Sequence, residues 1–276
     1  MKMTDELGVN LEIEQAKREL AERRKEYAKL LAEYDELTGA VRRHLEAEYM
    51  MQIGRLEYRL FSLQIRARQL KREIALYQAA KNRNETISET EVAAIIEREF
   101  AEYKAQLAAC QEKIREAETL HFSPKLTVGD TKAIRELYHD MVRKLHPDLN
   151  RDLPTAAKDL WVRIAAAYKN GDWRELNILA DMVYDLLDRG SPAAVEWSCM
   201  DELQAERRRI EQKIAELRAH MKEVCSHPPY TYRALLEDQA AVMAKRRELR
   251  ELRRGFEEHI AELTAVRDGL RGEKND

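Results

Sequence analysis

Between Tyr49 and Tyr77 the apolar residues alternate spacings of four and three without a break: Tyr49, Ile53, Leu56, Leu60, Leu63, Ala67, Leu70, Ile74 and Tyr77. This regularity constrains the fold more than any other feature of the chain. A 3.5-residue period puts these side chains on one narrow seam of an α-helix, and a helix cannot bury such a seam alone. The run predicts a helix over about Val41 to Lys81 within a coiled coil about four heptads long. Shorter stripes surround it. Ile13, Leu20, Tyr27 and Tyr34 recur every seven residues, with Leu30 and Leu37 on a second seam position that Arg23 interrupts. This predicts a first helix from about Leu11 to Leu37. Ser88-Glu89-Thr90-Glu91 is a capping-box pattern, in which hydroxyl and carboxylate each satisfy the other's orphan backbone N–H. It opens a third helix with Ile96, Phe100, Tyr103, Leu107, Cys110, Ile114, Ala117 and His121 on its stripe. Leu203, Ile210, Ile214, Leu217, Met221 and Val224, then Leu249, Leu252, Phe256, Leu263, Val266 and Leu270, mark two more long helices.

Composition agrees with long helices. Of 276 residues, 36% are charged and only 9 are Gly and 6 Pro, and no convincing strand-type alternation is visible. The short breaks at Gly39 and at Ser226-His227-Pro228-Pro229-Tyr230 favour hairpins over one continuous rod. The expected fold is therefore all-α, with long antiparallel coiled-coil hairpins flanking a small helical domain. Its segments are a helical arm over residues 1–122, a small domain over 123–192 and a C-terminal helical hairpin over 193–276. Pairing within the chain and self-association through the coiled coils both remain open to these stripes. A net charge of -3 with interspersed signs argues against a general nucleic-acid or membrane binder. The start, Met1-Lys2-Met3-Thr4-Asp5-Glu6, is not a signal peptide, and no apolar run has the length of a membrane span. A cytoplasmic protein is expected. Cys110, Cys199 and Cys225 form no Cys-x-x-Cys pair, and Cys225 with His227 has no second ligand pair, so no metal or cofactor is expected.

The small domain carries the functional signal. Ile134, Leu137, Tyr138, Met141 and Leu145 fall on one helix face, and Lys132, Arg135, His139 and Arg143 on the other. Pro147 stops that helix, since it lacks an N–H and drives His146 out of the α region. After a polar loop, a second helix carries Leu160, Trp161, Ile164, Ala167 and Tyr168 and ends at Asn170-Gly171. A third follows from Trp173 to about Leu187, with Leu176, Leu179, Val183 and Leu186 inward, and Gly190-Ser191-Pro192 closes the domain.

The segment Ile134-Arg135-x-x-Tyr138 … Leu145-His146-Pro147-Asp148-Leu149-Asn150, followed by Trp161-x-x-Ile164-x-x-Ala167-Tyr168, resembles the J-domain of the Hsp40 (DnaJ) co-chaperones. Trp161 stands where that family usually has Phe. The family's first helix, with its Tyr-Tyr-x-x-Leu-Gly-Val pattern, is reduced to Leu126-Thr127-Val128-Gly129 at most. The Gly/Phe-rich segment and zinc repeats of full-length chaperones are absent. The resemblance implies a co-chaperone, not an enzyme, that binds a DnaK-type Hsp70 through His146, Pro147 and Asp148 and stimulates its ATPase. It implies that Arg135, His139, Arg143 and Lys144 steer the encounter.

The chemistry of the loop fits docking. Pro147 holds its neighbours rigidly and lowers the ordering cost, and Asp148 offers an acceptor suited to a partner's Arg. The loop is expected to be exposed. Two basic residues usually follow the family's helix-two Tyr, and here they are His139 and Asp140, so docking should be weak and salt-sensitive. Arg207-Arg208-Arg209, flanked by Glu206 and Glu211, reads as a solvated helix face. The alternative is a coiled-coil scaffold whose J-like module is degenerate.

Overall fold

The computed structural model describes residues 2–122, 128–188 and 199–272. Helix α1 (Lys2–Glu36) leads into a π-helical turn (Leu37–Val41), α2 (Arg42–Tyr49), a second π-helical turn (Met50–Gly54) and α3 (Arg55–Asn82). Then come α4 (Glu89–Glu99), α5 (Ala101–Phe122), α6 (Val128–Leu145), α7 (Thr155–Asn170), α8 (Trp173–Asp188) and α9 (Met200–Cys225). A 3₁₀ turn (Tyr230–Tyr232), α10 (Arg233–Glu237) and α11 (Gln239–Gly272) complete the order. The fold is all-α, with no strand among the described residues. No helix among them is long and apolar enough to cross a membrane.

Packing gathers these elements into two compact units, one of Met1–Arg43 with Pro124–Tyr230, the other of His44–Ser123 with Thr231–Asp276. The grouping cuts across the consecutive segments 1–122, 123–192 and 193–276, because α1 and α9 share one core with α6, α7 and α8. The expected breaks at Pro124 and at Gly190-Ser191-Pro192, and Leu126-Thr127 of the reduced first helix, lie outside the described residues, whereas Gly129, expected to break the helical pattern, lies in the first turn of α6.

In the first unit α1 pairs with α9. Arg207 meets Glu19 at 2.6 Å, Arg218 meets Glu26 at 2.7 Å and His220 meets Tyr34 at 3.1 Å, so both helices run in the same direction. Parallel pairing, where hairpins were expected, is open to helices far apart in sequence, since no short connection dictates their sense. Gly39 does not turn the chain either. It lies in the π-helical turn, flanked by caps with helical φ and ψ. A lone Gly costs a helix only about 1 kcal/mol against Ala, which the surrounding helix formers outweigh. Its use is close approach: a Cβ there would stand 3.1 Å from Lys169 Cα and 3.2 Å from the Lys169 carbonyl oxygen.

The apolar face of α6 behaves as its spacing predicts. Tyr138, Met141 and Leu145 are fully buried, with Val142, which the predicted stripe lacked. Tyr138 lies flat on Tyr168 of α7, with centroids 3.7 Å apart and planes within 1°, and Trp161 stands 6.0 Å away. Gly171 ends α7 in the left-handed region at φ 72°, the stop that Asn170-Gly171 signals. On α8, Leu176, Leu179 and Val183 point inward and are fully buried.

In the second unit α3 pairs with α11. Ile53 and Leu60 pack with Val242 and Leu249, and Arg267 reaches Glu73 at 3.3 Å, again a parallel sense. The capping box forms as predicted: Ser88 Oγ accepts from Glu91 N–H at 3.2 Å, and Glu91 Oε2 accepts from Ser88 N–H at 2.8 Å. From there α4 and α5 run antiparallel to α3. Arg72 donates twice to Glu99 at 2.8 Å, and Arg55 pairs with Glu118.

Candidate partner-docking loop

The loop His146–Pro154 joins α6 to α7 and is built to hold one shape. The His146 carbonyl accepts from the Leu149 and Asn150 N–H groups at 3.0 and 2.9 Å, closing a tight turn around Pro147. Asn150 Nδ2 donates to the Arg143 carbonyl at 2.9 Å and so satisfies an orphan acceptor at the end of α6. Leu149 and Leu153 drop into the core and anchor both limbs.

Within that turn the Asp148 N–H donates to His146 Nδ1 at 3.2 Å, which leaves the ring proton on Nε2. The imidazole stands edge-on to Trp161 at 5.1 Å and to Tyr27 at 6.4 Å. Burial against these rings pushes the His146 pKa below its ordinary value, although Asp148 and Asp35 pull the other way. His146 is therefore a neutral, half-buried side chain at pH 7.

The expectation of an exposed motif is corrected here: of His146, Pro147 and Asp148, Pro147 alone is exposed, while His146 and Asp148 are half-buried. Asp148 Oδ2 accepts from the Tyr27 hydroxyl at 2.7 Å and lies 3.3 Å from Lys213 Nζ. Arg209 Nη2 donates to the Asp148 carbonyl at 2.8 Å, and Arg24 donates to the Leu149 carbonyl. Burial opposes ionisation of Asp148, but the Tyr27 hydroxyl and the Lys213 ammonium outweigh it, and its pKa lies below the ordinary carboxylate value. Tyr27 is correspondingly raised, first by burial and then by its bond to the carboxylate.

Arg209 is held in turn by Glu206, a buried carboxylate that it grips through Nε at 2.8 Å and Nη2 at 2.6 Å. Arg209 therefore clamps the loop to α9 and is not the solvated residue that its triplet suggests. Neither Tyr27, Arg24, Arg209 nor Lys213 was legible as a loop partner. Tyr27 shows only as a seam residue and the others as helix-face charges, and their partners lie 61 to 125 residues away along the chain.

The α6 cations that the resemblance expects to steer docking do not form one free basic face. Arg135 pairs with Glu36 of α1. Arg143 lies 3.4 Å from Asp140 and, with His139, lines a groove between α1 and α6 that also takes in Arg23, Lys29, Glu22 and Glu26. Burial there lowers the His139 pKa, against the pull of Glu33 and Glu36. Lys144 is bound to Asp140 at 2.7 Å and sits 4.3 Å above the Tyr184 ring of α8, whose hydroxyl also donates to Asp140 at 2.9 Å. Asp140 thus ties α8 to α6 in the place where the resemblance would put a cation.

Among the described residues no cluster of three or more His, Cys, Asp or Glu side chains is placed to hold a metal ion. Compared with known proteins, the chain matches no protein-family model, no curated protein and no solved structure.

Proposed function

We propose that this chain is a J-domain-type co-chaperone, acting in the cytoplasm by docking to a DnaK-type Hsp70 and stimulating its ATPase rather than by chemistry of its own. A small J-like domain of α6, α7 and α8 would be carried on long coiled-coil helices. The observation that supports this best is the hairpin of α6 and α7, locked by the Tyr138–Tyr168 stack, with His146-Pro147-Asp148 at its closed end and Pro147 facing outward. A rigid, preformed loop with an exposed Pro between a neutral His and an ionised Asp is suited to low-entropy docking on a cationic surface. Pro147→Ala tests it, since Pro147 is the exposed member of the three. Fluorescence titration of labelled chain with ATP-bound DnaK should show saturable binding for the wild type and at least about tenfold weaker binding for Pro147→Ala. Equal binding by both proteins would count against the loop as the contact.

A second reading, a coiled-coil scaffold with a structural J-like module, has one observation in its favour. Oδ2 of Asp148 is already engaged by Tyr27 and Lys213 of its own chain. Absence of any DnaK binding, with the fold intact, would select it.

A further inference from the structure

The groups that would meet a partner at Asp148 are engaged from within. Four side chains from two helices converge on two consecutive residues: Tyr27 and Lys213 on the Asp148 carboxylate, Arg209 on the Asp148 carbonyl and Arg24 on the Leu149 carbonyl. Of these, Tyr27 is buried and Arg24, Arg209 and Lys213 are half-buried, with Lys213 the more open of the two α9 cations at 38% of its side chain against 23% for Arg209. The loop backbone is thus fixed from both helices, while at the Asp148 carboxylate Tyr27 of α1 is buried and Lys213 of α9 is open to exchange.

We propose that α1 and α9 form an intramolecular latch that holds the His-Pro-Asp loop closed, and that docking requires Lys213 to give up Asp148 to a cation of the partner. This rests on the co-chaperone reading and adds a regulation to it. The latch places a cation beside Asp148 Oδ2, which also carries the Tyr27 hydroxyl, so an incoming Arg or Lys meets a carboxylate whose charge Lys213 already balances. Arg209 and Arg24 grip backbone carbonyls and leave the carboxylate untouched. They set the loop's position, while Tyr27 and Lys213 set its availability. Any factor that shifts α9 along α1 moves Lys213, since Arg207 with Glu19 and Arg218 with Glu26 index one helix against the other. A ligand gripping the coiled-coil pair would thereby change loop availability without touching the loop.

The test uses the full chain carrying Tyr27→Phe with Lys213→Met. These changes keep the ring and the aliphatic stem and remove the hydroxyl and the charge. Each single variant is made beside it, and helicity and tryptophan fluorescence verify folding. Two quantities are read. Hydrogen exchange of a peptide covering the loop should be about tenfold faster in the double variant. The concentration giving half-maximal stimulation of DnaK ATPase should fall about tenfold, because the competent state is no longer a minor fraction. Unchanged exchange overturns the latch whatever the ATPase shows. Faster exchange with unchanged potency, where the wild type stimulates, overturns it as a gate and leaves the co-chaperone reading standing. Faster exchange with no stimulation by any variant overturns the co-chaperone reading and, with it, the regulation proposed here.

Discussion

Tyr138→Phe removes one oxygen from the centre of the first unit. Tyr138 is fully buried, and its hydroxyl donates to Asp35 Oδ2 at 2.5 Å. Asp35 is buried too, and its other oxygen takes Lys169 Nζ at 2.8 Å. In the variant the carboxylate keeps Lys169 but loses its neutral donor. The stack on Tyr168 is retained, so ring packing is a small part of the change. A hydrogen bond to a charged acceptor is worth about 1.5–3 kcal/mol, and burial on both sides puts this one in that range. Each kcal/mol moves Tm by about 2–4 °C in a domain of this size. The assay reports on this unit, because Trp161 and Trp173 both lie in its packed core. Urea unfolding followed by tryptophan emission should therefore show a loss of about 1.5–3 kcal/mol. Asp35→Asn combined with Tyr138→Phe should recover part of the summed cost, since the two groups act as a pair. A loss below about 0.5 kcal/mol, the size of an ordinary surface change, would refute the buried hydroxyl–carboxylate pair.

Stability should also depend on pH. His146 and His139 are both depressed below 6.5 by burial, so as pH falls through 6.5 the unfolded chain takes up protons that the folded chain refuses. Their contribution is full above that pH and is lost below it. His146→Gln should flatten the decline between about pH 6.5 and 5 in tryptophan-monitored unfolding, and an unchanged slope would remove His146 from the account. Asp148→Asn should cost about 1–2 kcal/mol, more than an exposed loop residue, because it discharges the acceptor of Tyr27 and Lys213. Equal stability in urea would return the loop to solvent. Gly171→Ala should cost about 1–2 kcal/mol in the same assay, as its φ of 72° is unfavourable for any residue with a Cβ. In the second unit Leu60→Ala should cost about 2–5 kcal/mol by circular dichroism, and Leu63→Ala clearly less, because Leu60 is buried and Leu63 only half-buried.

What could be read from the chain was local. The stripe over Tyr138, Met141 and Leu145, the stop at Gly171 and the capping box at Ser88 each depend on residues within a few turns of one another, and each stands where its pattern puts it. What could not be read depends on distant partners. A seam announces that a helix needs company but not which helix or in which sense, so α1 with α9 and α3 with α11 run parallel where hairpins were expected. Gly39 carries the same residue as a turn would, yet serves the approach of Lys169 from α7. The loop suffered most. Its motif is visible, but its burial is decided by Tyr27 and by Arg209 and Lys213, none of which lies in the motif. Asp140, which looked like a lost cation, is spent on Lys144 and Tyr184 within the domain.

An Hsp70 is the target proposed for this loop. Single-turnover hydrolysis of ATP bound to DnaK, measured with wild-type chain and with Pro147→Ala at matched helicity, tests it most directly. If the proposed docking holds, the wild type accelerates hydrolysis several-fold or more and Pro147→Ala does not, since Pro147 is the exposed member of the motif and takes no part in the core. Acceleration by both proteins alike, or by neither, would contradict it.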